Sequence, residues 1–239
     1  MRIDLNGDMG EGMPNDAALM PFLNSANIAC GFHAGDENTM TATIKLCREF
    51  GVHLGAHPSF PDRANFGRNM MEFSPKEIYD LVRQQIQLVA KIASAHGQKL
   101  HHVKPHGALY NASAKDPVIA QAIAQAVFDE GPALVLFGLS GSCSIDKAEA
   151  IGLQTAHEVF ADRRYQKDGS LVPRNQPKAC LEKVEDVLTQ VNRMLTSKEV
   201  QAISGEIIPL QVDTICLHGD GPHALEFAKA IRELLDLIN

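Results

Sequence analysis

Seven times along this chain a short apolar stretch gives way to a polar or glycine-rich ending, five times with glycine or proline beside His, Asp, Glu or Lys, and in most cases a helical pattern follows. Residues 2–6 alternate apolar and polar side chains and run into Gly7-Asp8-Met9-Gly10-Glu11-Gly12. Residues 27–30 run into Gly31-Phe32-His33-Ala34-Gly35-Asp36, and residues 52–56 into His57-Pro58. Residues 100–104 stop at Lys104-Pro105-His106-Gly107. The apolar run 133–137 stops at Gly138-Leu139-Ser140-Gly141-Ser142. Residues 154–159, containing Glu158, run into Phe160-Ala161-Asp162-Arg163-Arg164-Tyr165, and residues 213–217 into His218-Gly219-Asp220-Gly221. Proline fixes φ and has no N–H for a ladder, so strands end near it.

Helices are expected between these strands. A short one falls within residues 14–23. In the next, Met40, Ile44, Cys47 and Phe50 recur at helical spacing, with Gly51 as its C-terminal stop. Ser74-Pro75-Lys76-Glu77 is a capping box with proline at the first helical position, followed by one apolar face from Ile78 to Ala93. Further helices open at Asp116-Pro117, follow Ser142, cover residues 184–194 and begin at Pro222. Residues 197–210 match neither periodicity, and the stretch from Asp162 to Pro177 reads as a long polar loop. Such loops are functional or disordered.

Alternation of this kind means parallel strands joined by right-handed crossovers, closed either as a barrel or as an open doubly wound sheet. An open sheet gathers its ligand at one switch point, so few strand ends need chemistry. A barrel brings every C-terminal strand end to one mouth. Polar endings on nearly every strand therefore favour a distorted parallel β/α barrel of seven strands, occupying residues 1–239 as one domain. The G-x-G-x-x-G fingerprint and the P-loop are both absent, which also speaks against an open nucleotide-binding sheet.

Composition narrows the class. The net charge of −7 disfavours a nucleic-acid or anionic-membrane surface, and no apolar run reaches the roughly 18 residues of a membrane span. The first residues, Met1-Arg2-Ile3-Asp4, read as a strand and not as a signal peptide. The five cysteines are odd in number, scattered and without a CxxC pair, as expected of reduced thiols in a cytoplasmic protein.

The mouth of such a barrel would receive Asp8, Glu11, His33, Asp36, His57, Asp62, Lys104, His106, Glu158, Asp162, His218 and Asp220. A single histidine in a loop is more often structural than catalytic. Four of the ten histidines at strand ends beside glycine or proline are harder to assign to chance. Asp36 and Asp220 precede helices and have a plain alternative as N-caps. Carboxylates and imidazoles can take a proton from water, and Lys or protonated His can stabilise an oxyanion, which suits hydrolysis of an amide or ester. The same donors could hold a divalent metal through His33, His57, His106 and Asp8, although no HExxH spacing marks one. Gly138–Ser142 lacks the G-x-S-x-G order of a nucleophile elbow. It suits an anion at a helix N-terminus or an ordinary turn. The arginines of the two longest loops, Arg63, Arg68, Arg163, Arg164 and Arg174, offer forks for carboxylate or phosphate, or are simply solvated.

These same residues resemble the LamB/YcsF family. The likeness runs through Asp4-Leu5-Asn6-Gly7-Asp8-Met9-Gly10-Glu11, Asn27-Ile28-Ala29-Cys30-Gly31-Phe32-His33-Ala34-Gly35-Asp36 and Gly55-Ala56-His57-Pro58-Ser59-Phe60-Pro61-Asp62. It continues through Val103-Lys104-Pro105-His106-Gly107-Ala108-Leu109-Tyr110, Glu158-Val159-Phe160-Ala161-Asp162-Arg163-Arg164-Tyr165 and Cys216-Leu217-His218-Gly219-Asp220. It covers essentially the whole chain; Gly7 stands where many relatives are expected to carry cysteine. The resemblance implies a barrel of the glycoside hydrolase/deacetylase type and ATP-dependent opening of 5-oxo-L-proline to L-glutamate, with two partner subunits, B and C, sharing the ATP. On that expectation Asp8 or Glu11 is the base for water. Lys104 with His106 serves the oxyanion or the leaving nitrogen. Asp36, Arg63, Glu158, Arg163 and Arg164 bind substrate. Two rivals stand beside it. One is a metal-dependent amide or sugar deacetylase working alone, which would release product without partners. The other is a non-catalytic scaffolding subunit, whose complex would tolerate loss of Lys104 or His106.

Overall fold

The computed structural model describes residues 3–219, 221 and 223–238. Asp220 and Pro222, expected at the turn into the last helix, lie outside them. Seven parallel strands close into a barrel: β1 (Asp4–Met9), β2 (Ser25–Ala29), β3 (His53–His57), β4 (His102–Val103), β5 (Val135–Leu139), β6 (Gln154–Phe160) and β9 (Thr214–Leu217), the last pairing with both β6 and β1. The crossovers carry α1 (Asp16–Leu19), α2 (Glu37–Phe50), α3 (Pro75–Ala95), α4 (Gly107–Ser113), α5 (Pro117–Glu130), α6 (Cys143–Ala150) and α7 (Val184–Thr196), and α8 (Ala224–Ile238) follows β9. No helix among the described residues is long and apolar enough to cross a membrane.

The local signals act as their chemistry requires. Ser74 accepts from the Glu77 N–H while the Glu77 carboxylate accepts from the Ser74 N–H, closing the capping box of α3. Asp116 caps α5 ahead of Pro117. Gly51 ends α2 at φ 69°.

Strand residues alternate between the two faces of the sheet, and here the inner face is polar. Asn6 donates to Glu158 at 3.0 Å and to Thr214 at 2.7 Å, and Asn27 donates to Asn6 at 2.8 Å. His102 Nε2 donates to Asn27 Oδ1 at 2.8 Å, and its ring stacks on Phe137. Leu5, Met9 and Leu54 belong instead to the apolar layer beneath the helices. Each inward polar group is buried, so each must find a partner inside. Gly55 makes room for this filling: a Cβ there would lie 2.1 Å from His102 Nε2.

Several boundaries depart from the sequence expectation. β1 begins and ends later, so Asp8 sits within the strand. β4 shrinks to two residues. Helix α4 follows at once, because Gly107 takes φ 57° with its Cα against the Gly67 carbonyl, 2.5 Å from where a Cβ would stand. The unassigned stretch 197–210 holds an antiparallel hairpin outside the barrel, β7 (Glu199–Gln201) and β8 (Ile207–Pro209). The long loop after β6 is anchored by bridges Arg163–Cys180 and Tyr165–Leu171 and by fully buried Tyr165.

Candidate functional site

A cavity of about 660 Å³ opens at the C-terminal ends of the strands. Its floor is Lys104, which follows β4 directly and is 2% exposed. Nζ lies 2.9 Å from Asp8 Oδ1 and 2.9 Å from Glu158 Oε1, and donates also toward Asn6 Oδ1 at 3.3 Å. Burial alone would lower the Lys104 pKa; Asp8, Cys216 and Glu158 overcome it and raise it well above the ordinary value. Burial would likewise raise Asp8, but His57 and Lys104 hold it well below the usual carboxylate range. The resting ion pair is thus charged.

Beside it three imidazoles converge. His57, the last residue of β3, donates from Nδ1 to the Lys104 carbonyl at 2.7 Å. His106 donates from Nε2 to the Phe66 carbonyl at 2.9 Å. Phe66 reaches that position in a left-handed conformation, φ 57°. His33 bonds through Nδ1 to Ser59 Oγ at 2.8 Å. The Ser59 hydroxyl hydrogen is already given to the Phe60 carbonyl, so His33 is the donor. The remaining nitrogens face one another and a carboxylate: His106 Nδ1 is 2.9 Å from His57 Nε2, and Glu11 Oε1 is 3.2 Å from His33 Nε2 and 3.5 Å from His106 Nδ1. One donor atom from each of Glu11, His33, His57 and His106 lies within 4.8 Å of the others. Burial lowers His33 to about 3 and pushes His106 well down. On the far side His218 meets Asp162 through Nδ1 at 3.0 Å. Arg68, Lys115, Arg163 and Arg174 make the outer wall basic.

The model of the LamB/YcsF family matches residues 3–238. The chain belongs to the LamB/YcsF family. Among its relatives are the A subunit of 5-oxoprolinase from Staphylococcus carnosus, 51% identical across 98% of this chain and 95% of that one, and its counterpart in Bordetella pertussis, 52% identical with the same coverage. A lactam utilization protein from Thermus thermophilus superposes with a TM-score of 0.92 at 39% identity, covering 100% of this chain and 97% of that one. A solved structure from Enterococcus faecalis, with a TM-score of 0.59 and 13% identity over 99% of this chain and 93% of that one, shares the fold.

In this LamB/YcsF barrel Asp8, Glu11, Lys104 and His106 line the cavity together, as does His57. His33 packs against His106 with ring centroids 3.8 Å apart. Arg163 also lines the cavity, with Nη2 on the Val172 carbonyl. Glu158 lies fully buried beneath Lys104 and serves it from below. Asp36, Arg63 and Arg164 are not among the cavity-lining residues. Asp36 caps α2 by accepting from Thr39, and Arg63 Nη1 ties the Gly31 and Gly35 carbonyls. Arg164 is held through its backbone by Ala179 and Val172. Asn6, Asn27, Ser59 and Tyr110 lie within the family-like stretches without a role assigned to them there, yet they position or line the site. For Asn6 and Asn27 the available signal is an amide at an inward strand position.

Proposed function

We propose that this chain is the A subunit of a 5-oxoprolinase, opening the lactam ring of 5-oxo-L-proline to L-glutamate in a complex whose partner subunits, B and C, supply the ATP chemistry. A five-membered lactam is an unreactive amide. Transfer of the γ-phosphoryl group of ATP to the lactam oxygen gives an electrophilic carbon, and water then adds to that carbon. The C–N bond breaks with a proton delivered to nitrogen, and a second water releases phosphate from the γ-carboxyl. The products are glutamate, ADP and phosphate. The observation that carries this reading is the charged floor of the cavity, where the Lys104 ammonium is held between Asp8 and Glu158 directly under the imidazole cluster.

Each residue then has a role its geometry suits. Asp8 keeps Oδ1 on Lys104 and Asn27 and turns Oδ2 toward His57, where it orients the attacking water and receives its proton. Lys104 meets the negative charge of the tetrahedral adduct, carried by its phosphoryl group and by the oxygen delivered from water, in a water-poor setting where such charge is strongly felt. His106 has its Nε2 hydrogen on Phe66 and its Nδ1 against His57, so it is badly placed to protonate the leaving nitrogen. We assign that step to His218, oriented by Asp162 and lining the cavity. Arg163 and Arg174 face the substrate carboxylate or the phosphate. The test is glutamate release and 5-oxoproline-dependent ATP turnover with this chain added to, or omitted from, its B and C partners. Product only with all three supports the assignment. Product from this chain alone would transfer the reading to a deacetylase-like enzyme.

A further inference from the structure

The imidazole cluster poses a problem of its own. A carbonyl oxygen can only accept, so His57 must carry its hydrogen on Nδ1 and His106 on Nε2. The Ser59 hydroxyl, already donating to Phe60, likewise places the His33 hydrogen on Nδ1. In their neutral forms all three rings therefore aim bare lone pairs inward. His57 Nε2 and His106 Nδ1 do so across 2.9 Å, with the Glu11 carboxylate 3.2 Å from His33 and 3.5 Å from His106. Lone pairs do not approach this closely without a cation between them. A shared proton would serve one pair and leave the others opposed.

We propose that Glu11, His33, His57 and His106 form a binding site for one divalent first-row transition ion, zinc being the natural occupant. Three imidazoles and one carboxylate are the donor set that suits zinc or its neighbours and disfavours calcium or magnesium. Three of the six donor separations, 2.9, 3.2 and 3.5 Å, fall around the edge of roughly 3.3 Å expected for a tetrahedron with metal–nitrogen bonds of about 2.0–2.1 Å, and all six lie within 4.8 Å. Each imidazole has its far nitrogen fixed by a hydrogen-bond acceptor, the arrangement that orients metal-bound histidines and sets their tautomer. The backbone is shaped around the rings: a Cβ on Gly67 would lie 3.0 Å from His33 Cβ and 3.1 Å from His106 Cδ2. Glu11 stands between Gly10 and Gly12, both at positive φ, at the end of β1 that opens to the cavity. The ion's role rests on the lactam-opening reading, in which it would polarise water beside Asp8; its binding does not.

The test strips the purified chain with a chelator and titrates it with Co²⁺, then with Zn²⁺ in competition. One Co²⁺ per chain, with the visible absorption of a tetrahedral nitrogen-rich site and displacement by Zn²⁺, is the expected result. Glu11→Gln should weaken Co²⁺ at least ten-fold, and His57→Ala should abolish the absorption. His53→Ala, at the other end of β3, should leave it unchanged. Circular dichroism confirms that each variant is folded, and Glu11→Gln, on an irregular loop, remains informative if His57→Ala is not. Absence of saturable Co²⁺ uptake at millimolar concentration, or equal uptake by Glu11→Gln and His57→Ala, overturns the proposal. A ¹⁵N spectrum showing one proton shared by His57 and His106 in a fully active, metal-free protein does the same. Glutamate release that survives metal removal would leave the lactam reading and the binding site standing and overturn the ion's role in polarising water.

Discussion

Replacing Lys104 by methionine probes the centre of the barrel. The ammonium is 2% exposed and sits 2.9 Å from a carboxylate oxygen of Asp8 and 2.9 Å from one of Glu158, themselves nearly inaccessible. Methionine keeps the apolar stem and removes the charge, leaving two carboxylates facing each other without a cation. Breaking a buried ion pair from one side costs about 3–5 kcal/mol, because the orphaned charge remains desolvated. One carboxylate can relieve this by taking a proton, so a loss of roughly 4 kcal/mol is expected, of a total that for most domains is about 5–15 kcal/mol. At about 2–4 °C per kcal/mol for a chain of this size, Tm should fall by roughly 8–16 °C. Lys76→Met is the control: its Nζ is 2.6 Å from Asp80 but 80% exposed, and the loss should stay below about 0.5 kcal/mol. Urea unfolding read by circular dichroism and calorimetry gives both values. Adding Glu158→Gln to Lys104→Met should restore part of the loss, since it removes one of the opposed charges. A Lys104→Met protein within about 1 kcal/mol of the parent would refute the reasoning, because the two carboxylates would then not depend on the lysine.

Two further outcomes follow from the geometry. Gly55→Ala places a methyl group 2.1 Å from His102 Nε2, so either the His102–Asn27 hydrogen bond or the backbone of β3 must yield; a loss of about 1–3 kcal/mol in urea unfolding is expected, and a neutral substitution would mean that the polar filling is loose. Asp162 would be raised by burial, but His218, Arg174 and Arg163 leave it below the ordinary carboxylate value. A lowered folded pKa stabilises above the unfolded value of about 3.9 and loses that contribution as pH falls through the folded one. Asp162→Asn should therefore cost roughly 1.5–3 kcal/mol at pH 7, with the gap to the parent closing below about pH 4; a constant gap down to about pH 3 would exclude the carboxylate's charge as the cause.

The parts of the fold that local chemistry decides are legible in the sequence. The continuous apolar run at β5, the Ser74–Glu77 capping box and Gly51 each carry their structure within a few residues, and repetition of polar strand ends points to a closed barrel with one mouth. Elsewhere tertiary contact decides. Helix α4 starts at Gly107, directly after a proline and a histidine, a place that reads locally as a break; the close approach of Gly67 makes the turn possible. The hairpin β7–β8 is three residues per strand and has too little apolar surface to announce itself. Asp36 and Arg63 have the residue types of a binding site, yet the same groups serve equally well to cap a helix and to tie a loop, and only coordinates separate the two uses. Glu158 is a comparable case: its place near a strand end suits a substrate ligand, and register turns it to the underside of Lys104. Asn6 and Asn27 leave no trace of their role, because an amide in a strand carries no meaning until the inward face is known.

The measurement that bears most directly on the central claim is glutamate release by the His218→Ala chain combined with its proposed B and C partners, with assembly checked by size-exclusion chromatography. If the ring opens in this cavity, release should fall by about 10²–10⁴-fold, the usual contribution of a positioned acid or base, while the complex stays intact. An assembled complex that releases glutamate at the parent rate would contradict ring opening in this cavity with His218 as the acid.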